Sequence, residues 1–477
     1  MRFPGFIGPS YTLQSVDTDC QRSVNLYPEI NETGTGKEHE VAALVGTPGL
    51  RLLSTLGSGP IRGIYTSSLG VLYVVSGDTL YTLDSSFAST TVGTLGTATG
   101  YVSMADNGIQ LFVVDGSAQG YYVTLSSNSF ATLSSSDNYL GADQVTYQDG
   151  YFIFNKPSSQ QFYISSQLGV TFDPLDISSA EGSPDNMKGL VADSEKVYLF
   201  GTESLEVFYD SGAVDFPFER ISGASIPLGT ESPFTIEKFA GGIAFLGRDK
   251  RGRGSVYKIQ GFQPQRISTH AVEKVIASLG DLSRARAWTY RYQGHEFYCL
   301  NVPGASTTWC FDAATNLWHE RAALSSGSLT RHTADCHAFA YETNVVGDYT
   351  SGNVYALDPA TYSNNGDPLP RIRTAPHVTK ELKRIGHYSF QLDIEAGVGL
   401  TTGQGSDPQA MLQWSDDGGH SWSNEHWTTI GARGKTKTRA IWRRLGSSRD
   451  RVYKVSITDP VKVTMLGADL VVEEGAS

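Results

Sequence analysis

The chain has 477 residues, of which 39% are hydrophobic, 11% aromatic and 18% charged, and its net charge is −12. This length exceeds what one ordinary hydrophobic core organises, so it indicates two or three domains, or one large repetitive domain with an extension. The acidic balance argues against tight, sequence-independent DNA binding, no apolar run approaches the length of a membrane span, and four Cys residues are too few for a disulfide scaffold.

The first 40 residues are predicted to form an N-terminal arm. Residues 1–10 contain Pro4, Gly5, Gly8 and Pro9 and have no apolar core segment, so they do not read as a signal peptide. Residues 32–40 are Gly-rich and charged and are expected to be mobile until bound. The sequence therefore favours synthesis and assembly in a cytoplasm.

Pairs of strand-like runs recur between residues 41 and 370, at a spacing of roughly 40–50 residues. In the first pair, Gly77-Asp78 separates two apolar runs, which is typical of a hairpin with a two-residue turn. The seven pairs are 70–75 with 79–83, 110–114 with 120–125, 151–154 with 161–164, 196–200 with 205–209, 242–246 with 255–259, 295–302 with 307–312, and 344–348 with 353–357.

This repeat predicts an all-β fold with a β-propeller of six or seven blades over residues 41–370. A series of stacked sandwiches is the alternative. The sixth pair also predicts a register, in which Leu300 faces Trp309 and Tyr298 faces Phe311 on one side of the sheet. Cys299 then lies opposite Cys310 on the other side, and we expect free thiols in a cytosol.

Residues 371–477 are predicted to form a C-terminal antiparallel β-sandwich-like domain, because longer alternating runs replace the paired pattern at 387–394, 409–414, 451–457 and 461–472. Residues 397–407 are rich in Gly, Thr and Ser and should form a loop. Residues 371–454 hold 14 Lys and Arg against 8 Asp and Glu, so they are basic while the rest of the chain is strongly acidic. This asymmetry is either drift between domains or a basic docking face.

The segment 415–422 fits the Asp-box pattern, with Ser415, Asp417, Gly419 and Trp422 at its defining positions. In such a turn Asp417 accepts backbone N–H groups, Gly419 takes a positive φ and Trp422 packs beneath. Asp boxes occur in sialidases, where they are structural. A single copy outside the propeller therefore predicts a stabilised hairpin and not a catalytic site.

Two groups of basic residues are candidates for contact with a partner or with DNA. The first is the loop of the fifth pair, and the second lies in the C-terminal domain; either could instead be a solvated surface. Their members are Arg248, Lys250, Arg251 and Arg253, and Arg439, Arg443 and Arg444.

Signals for chemistry are weak. His332, Cys336 and His337 lie close together in sequence, but a second pair of ligands at zinc-finger spacing is missing. The acidic residues are scattered among turns, so no pair is predicted at catalytic separation. We assign no catalytic, cofactor-binding or metal-binding residue, and we expect no enzyme and no cofactor.

Several segments resemble the packaged-DNA stabilisation family of short-tailed phages, also described as tail hub or nozzle proteins. Each segment is short, but their order along the chain is specific. They are 22–29 (RSVNLYPE), 46–50 (GTPGL), 222–226 (SGASI), 245–249 (FLGRD), Tyr257, 265–269 (QRIST), 309–315 (WCFDAAT), 317–321 (LWHER) and 442–446 (WRRLG).

The resemblance implies a structural protein of the virion tail, assembled in the bacterial host cytoplasm. It would form a homo-oligomeric ring, expected to be a hexamer, that extends the DNA channel below the portal, helps retain the packaged genome and takes part in DNA ejection. Its implied partners are the tail adaptor, a tail needle, tailspike or fibre proteins and, transiently and non-specifically, the genomic DNA, with no small-molecule substrate. A Kelch-like interaction propeller and a glycan-binding or glycan-cleaving tail protein are the alternatives.

Overall fold

The computed structural model describes residues 2–31, 42–250, 252–381 and 383–475. These residues form an almost entirely β structure, with one α-helix among them, α1 (His270–Ser278). No helix in those ranges is long and apolar enough to cross a bilayer. Residues 32–40, for which we expected mobility, lie outside the described ranges.

The N-terminal segment does not form an independent arm, which corrects our expectation. Its strands pair with strands of the propeller and of the sandwich. Its side chains explain this difference, because Val24 and Leu26 are completely buried. The first five strands are β1 (Tyr11–Thr12), β2 (Cys20–Val24), β3 (Leu26–Ile30), β4 (Ala42–Gly46) and β5 (Gly49–Thr55).

Four blades of four antiparallel strands follow, each running outward from its first strand. Blade 1 comprises β6 (Ile61–Thr66), β7 (Leu72–Ser76), β8 (Thr79–Leu83) and β9 (Ser89–Thr94). Blade 2 comprises β10 (Ser103–Asp106), β11 (Gln110–Val114), β12 (Gly120–Thr124) and β13 (Ser129–Leu133). Blade 3 comprises β14 (Val145–Gln148), β15 (Tyr151–Asn155), β16 (Gln161–Ile164) and β17 (Ile177–Ser179). Blade 4 comprises β18 (Met187–Asp193), β19 (Lys196–Gly201), β20 (Leu205–Asp210) and β21 (Phe218–Ile226).

Blades 5 to 7 complete the ring. Blade 5 contains β22 (Gly229–Thr230), a 3-10 turn (Pro233–Thr235), β23 (Glu237–Phe239), β24 (Gly242–Asp249), β25 (Gly252–Gln260) and β26 (Gln263–Arg266), and is followed by α1. Blade 6 contains β27 (Arg286–Tyr292), β28 (His295–Asn301), β29 (Thr308–Asp312) and β30 (Leu317–Ser325), with β31 (Ser328–Arg331) paired to β30. Blade 7 contains β32 (Ala334–Ala340), β33 (Thr343–Asp348) and β34 (Asn353–Asp358), and β5 supplies its outermost strand.

The propeller is therefore seven-bladed and is closed by pairing an early strand with the last blade. All seven strand pairs expected from the sequence are the second and third strands of successive blades. The register expected for blade 6 is also confirmed: Leu300 pairs with Trp309, Tyr298 with Phe311 and Cys299 with Cys310. The two cysteine sulfurs lie 3.0 Å apart in the core.

The C-terminal part is the expected antiparallel sandwich. Two short strands, β35 (Ser363–Asn364) and β36 (Asp367–Pro368), precede it. Its strands are β37 (Arg371–Thr374), β38 (Val378–Thr379), β39 (Ile385–Ile394), β40 (Gln409–Ser415), β41 (His426–Thr429), β42 (Ala440–Arg443), β43 (Ser447–Ser448), β44 (Asp450–Ile457) and β45 (Thr464–Glu474). One sheet has the order β3-β4-β45-β39-β42, and buried residues such as Phe390, Leu412 and Val455 fill the space between the sheets.

Propeller and sandwich share one continuous sheet, with the strand order β27-β28-β29-β30-β2-β37-β44-β40-β41. This sheet runs from the inner strand of blade 6 to the far edge of the sandwich. Asn25, at φ 54°, marks the switch from β2 to β3. Its buried amide donates to the carbonyl oxygens of Ala322 at 2.9 Å and Pro370 at 2.8 Å, which ties blade 6 to the start of the sandwich.

Candidate functional site

The axis of the propeller is blocked by side chains where the inner strands begin. Tyr101 of blade 2 packs on Phe234 of blade 5, with ring centroids 4.9 Å apart. The guanidinium of Arg286, from blade 6, lies 4.6 Å from the Tyr101 ring and donates to the Arg62 carbonyl of blade 1 at 3.0 Å. None of these pairs of blades is adjacent, so the contacts cross the axis. We call Tyr101, Phe234 and Arg286 the axial plug.

Two carboxyl groups lie near the plug, and neighbouring donors hold one of them, Asp335. Asp335 accepts hydrogen bonds from Arg331 and Asn301, both at 3.0 Å, and lies 3.9 Å from Arg286. Burial raises the pKa of Glu237, on the inner strand β23, to about 8, and Arg286 acts in the opposite direction. Asp335 is therefore engaged within the wall of the propeller, while Glu237 keeps its proton at neutral pH.

The Asp-box segment forms a tight, hydrogen-bonded turn after β40. The Asp417 carboxylate accepts from the Ser421 amide at 2.9 Å and from the Ser415 hydroxyl at 2.6 Å, while the Gly419 amide donates to the Ser415 oxygen at 2.7 Å. Gly419 has φ 100°. The bonds from Ser415 and Ser421 hold the pKa of Asp417 well below its ordinary value, although the carboxylate is exposed. Trp422 is partly buried, with the Lys454 ammonium 4.2 Å from its ring.

Sequence reasoning missed the residue that anchors this turn. Asp416 makes two bonds to Arg451, at 2.6 and 2.7 Å, and Arg451 is only 2% exposed. Arg371 and Arg373 are likewise completely buried. Three cations that we counted toward a basic face therefore lie inside the protein. The charge count could not reveal this, because charge patterning does not report burial.

The fifth strand pair carries its basic residues at the turn between β24 and β25. Arg248 is paired with Glu231 at 3.0 Å, and Lys250 is exposed. Arg251 lies outside the described residues, and Arg253 is placed in β25, opposite Arg248. Lys250 is therefore accessible to a partner, whereas Arg248 is already paired with a carboxylate of its own blade.

Arg439, Arg443 and Arg444 lie together at the edge strand β42 of the sandwich, and all three are exposed. Arg439 donates to the Gln391 side chain at 2.5 Å. Among the described residues, no carboxylate lies within ion-pair distance of these three arginines. They belong to a different part of the molecule from the blade 5 loop, so the two basic groups do not form one surface.

His332, Cys336 and His337 do not converge. Cys336 and His337 are adjacent in β32 and therefore point to opposite faces of the sheet. Burial lowers the pKa of His332 to about 3 and that of His337 to about 4, and it raises that of Cys336 to about 11. Within the described part of the chain, no group of three His, Cys, Asp or Glu side chains could hold a metal ion.

Fold and site together define a two-part, all-β protein, a seven-bladed propeller continuous with a sandwich. Two family models match these parts: residues 3–362 match bacteriophage P22 Gp10, beta-propeller, and residues 370–473 match bacteriophage P22 Gp10, beta-sandwich. The chain belongs to the P22 Gp10 family of phage structural proteins.

Three of the solved structures that match this chain show low similarity to it. The extracellular domain of BT4673 from B. thetaiotaomicron is 11% identical with a TM-score of 0.45, and the match covers 65% of this chain but 39% of that one. A chain of the mitotic checkpoint complex is 11% identical with a TM-score of 0.44, and the match covers 65% of this chain and 94% of that one. The WD40 propeller domain of Doa1 is 13% identical with a TM-score of 0.40, and the match covers 65% of this chain and 96% of that one. Such low similarity does not bear on function. No curated protein matches.

Proposed function

We propose that this protein is a structural component of a phage tail, in which several copies form a hub or nozzle ring. The ring would extend the DNA channel below the portal and adaptor, help to retain the packaged genome and take part in its ejection. The observation that carries this proposal is the match of both parts of the chain to a single phage structural family. Assembly in the host cytoplasm is part of the proposal.

The axial plug favours a DNA channel enclosed between subunits of a ring, and not a pore through a single subunit. Tyr101, Phe234 and Arg286 fill the propeller axis, so DNA cannot pass along it. A conduit built from this chain must therefore lie between copies, and identical subunits can enclose one through head-to-tail contacts that close on themselves. A hexamer is the expected ring size.

The surface charge of blades 1 and 2 supports a channel lining that does not bind DNA. Between Ile61 and Leu133, which span blades 1 and 2, the sole Lys or Arg is Arg62, and its side chain is buried. A surface without exposed cations releases no counterions from the DNA backbone, so it would let the polyanion slide. We propose that neutral or acidic propeller surface, such as that of blades 1 and 2, faces the lumen.

The proposed partners are further copies of this chain, the tail adaptor, a tail needle and tailspike or fibre proteins, with only transient, non-specific contact with the genome. The exposed Lys250 and the arginines of β42 are candidate contacts with protein partners or DNA. The glycan-cleaving alternative requires free carboxylates that converge in a central pocket, and Asp335 near the plug is instead engaged by Arg331, Asn301 and Arg286.

Electron microscopy of the purified chain and of intact virions tests this function. The expected result is closed rings of the purified chain, or density for several copies around the tail channel. A chain that is monomeric and absent from the tail would contradict it. Cleavage of a host glycan by the purified chain would favour the enzymatic alternative.

A further inference from the structure

An acidic groove lies between blades 3 and 4. It has a volume of about 840 Å³ and is lined by Asp149, Glu195 and Asp210, with Tyr209 and a single cation, Lys196. The two blades together, from Val145 to Ile226, contain twelve Asp and Glu against four Lys and Arg. The groove is therefore the centre of a strongly acidic region.

Exposed apolar side chains lie on the same face of these two blades as the groove. The turns between first and second strands, and between third and fourth strands, lie at one end of an antiparallel blade. Such turns carry Leu175, which is 82% exposed, and Val214, which is fully exposed. Leu168 is 57% exposed and bonds through its amide to the Gly150 carbonyl, beside Asp149. Exposed apolar residues grouped around a polar groove are typical of an interaction site.

A cationic strip lies at the outer edge of the sandwich. Residues 426–449 contain seven Lys and Arg and no Asp or Glu. Arg439, Arg443 and Arg444 are exposed there, and the neighbouring edge strand β41 presents Trp427, which is 58% exposed. The Trp442 indole donates to the His426 carbonyl at 2.7 Å, which holds β41 against β42. The strip thus combines three exposed arginines, Arg439, Arg443 and Arg444, with an exposed aromatic ring.

The groove and the strip lie at opposite ends of the subunit. The shared sheet places β41 eight strand spacings from the inner strand of blade 6, roughly 38 Å along the sheet at about 4.8 Å per strand. In a ring of seven blades, blade 3 is three positions from blade 6 and three from blade 7, so it lies on the far side of the axis. One end of the molecule is acidic with an apolar rim, and the other is basic with an aromatic residue.

We propose that the cationic strip of one copy docks into the acidic groove between blades 3 and 4 of the next copy. The occupant is a second copy of this chain because the two surfaces complement each other in charge, carry apolar residues and lie at opposite ends of the subunit. Such a contact is heterologous, and it builds a ring when the rotation between copies closes. This inference rests on the proposed ring and identifies its subunit interface.

Two charge-reversed variants test the contact. The first, Arg439→Glu with Arg443→Glu and Arg444→Glu, makes the strip acidic. The second, Asp149→Lys with Glu195→Lys and Asp215→Lys, makes the groove face basic; Asp215 does not line the groove but is exposed beside Val214 in the neighbouring turn of blade 4. All six side chains are exposed, so the folds should survive. The control is Arg284→Glu, which reverses an exposed charge on the opposite face of the propeller.

Self-association of the parent, each variant and their mixture is measured by sedimentation velocity at about 50 mM and about 500 mM salt. Each variant alone should associate at least about tenfold more weakly than the parent, because like charges then meet at the interface. Mixing the two variants should restore association, since each acidic strip now meets a basic groove. The restored complexes should alternate, so a tag on one variant should recover the other in equal amount. The control should assemble like the parent.

Assembly of either variant alone with the affinity of the parent would overturn the contact while leaving the ring intact. Variants that associate weakly but are not rescued by mixing would also overturn it. A parent chain that stays monomeric in solution, yet is found as a ring in virions, would show that this contact does not build the ring. Absence of the chain from any ring in the virion would instead contradict the proposed function itself.

Discussion

At the scale of single residues, the propeller depends on large aromatic side chains wedged between neighbouring strands and blades. Trp309 is 4% exposed and lies in the core with Leu300 and Phe311. Its ring meets Trp318 edge-on, at a centroid distance of 6.4 Å. The Glu237 carboxyl near the axis gives a second test at this scale, because burial raises its pKa.

Trp309→Ala should destabilise the protein by roughly 3–5 kcal/mol, the usual cost of truncating a buried large aromatic residue. Chemical denaturation measures this loss. Trp427→Ala is the matched control, because Trp427 is exposed, and it should change stability by less than about 0.5 kcal/mol. A loss below about 1 kcal/mol for Trp309→Ala would contradict its place in the blade 6 core.

Glu237→Gln should change the pH dependence of stability. Burial raises the pKa of Glu237 from 4.5 to about 8, so the folded protein keeps a proton that the unfolded chain loses. The stability of the parent must therefore fall as the pH rises from about 4.5 to about 8. The neutral Gln avoids this loss, so its advantage over the parent should grow across that range. Denaturation at several pH values tests this, with the exposed Glu219→Gln as control; a pH-independent difference would contradict the raised pKa of Glu237.

At the scale of elements, two contacts join distant parts of the chain. The pairing of β5 with β34 closes the propeller, and the turn after β40 holds the sandwich edge through Asp416 and Arg451. Both are long-range contacts that form only when the chain folds back on itself. Each contact can be tested by comparing a substitution that disrupts it with a similar substitution that leaves it intact.

Gly352→Ala should disturb propeller closure. A Cβ at Gly352 would overlap the carbonyl oxygen of Leu56, which follows β5, and the Leu56 amide bonds to the Gly352 carbonyl at 2.7 Å. Backbone must move, and we expect a loss of about 1–3 kcal/mol. Gly252→Ala, in the corresponding turn of blade 5, meets open space and should change little. Equal melting temperatures for the two variants would argue against this closure.

Asp416→Ala should destabilise the sandwich more than Asp417→Ala. The first leaves the buried Arg451 guanidinium without its carboxylate, at a cost of about 1–3 kcal/mol. The second removes an exposed acceptor from the turn and should weaken the domain less, without loss of any activity. Thermal melting and virion assembly are the measurements. If Asp417→Ala melted normally but lost a glycan-cleaving activity present in the parent, the turn would not be merely structural.

The sequence was sufficient to locate the second and third strands of every blade, because these strands are apolar, alternate regularly and are joined by turn residues. The outer strands are polar and exposed, as in β9, so their pattern is weak. Closure by β5 and the insertion of β2 and β3 into other sheets are long-range pairings without a local signal.

The candidate sites were less predictable for a related physical reason. The Asp-box turn is a local motif, and its spacing alone located it. The axial plug brings together Tyr101, Phe234 and Arg286 from three blades, which no local pattern could reveal. The acidic groove likewise draws on two blades, although the excess of Asp and Glu between residues 145 and 226 is visible in the sequence.

At the scale of the whole molecule, charge is distributed asymmetrically: the sandwich has a basic edge, and blades 3 and 4 are acidic. Side chains of the axial plug fill the axis of the propeller. These features favour a role in which several copies assemble, and not catalysis by a single copy. They also separate the surfaces that would meet protein from those that would face DNA. The neutral or acidic surface of blades 1 and 2 suits a lumen, and the cationic strip suits a subunit or an acidic partner.

Replacing Arg439, Arg443 and Arg444 together by Glu should impair incorporation into tails and leave the isolated fold intact. Exposed charge pairs contribute only about 0–1 kcal/mol each, so the three arginines must act together. Incorporation is quantified in purified virions, and circular dichroism checks the fold. The Arg284→Glu control should be incorporated normally. Equal incorporation of the triple variant and the parent would count against a docking role.

A density map of the virion tail, with this chain fitted, tests the central claim most directly. We expect several copies in a closed ring, the DNA path between subunits and not along a propeller axis, and neutral or acidic propeller surface toward the lumen. The map should also place the strip of Arg439, Arg443 and Arg444 against protein. A tail without this chain, or a ring with those arginines turned toward the DNA, would contradict the account.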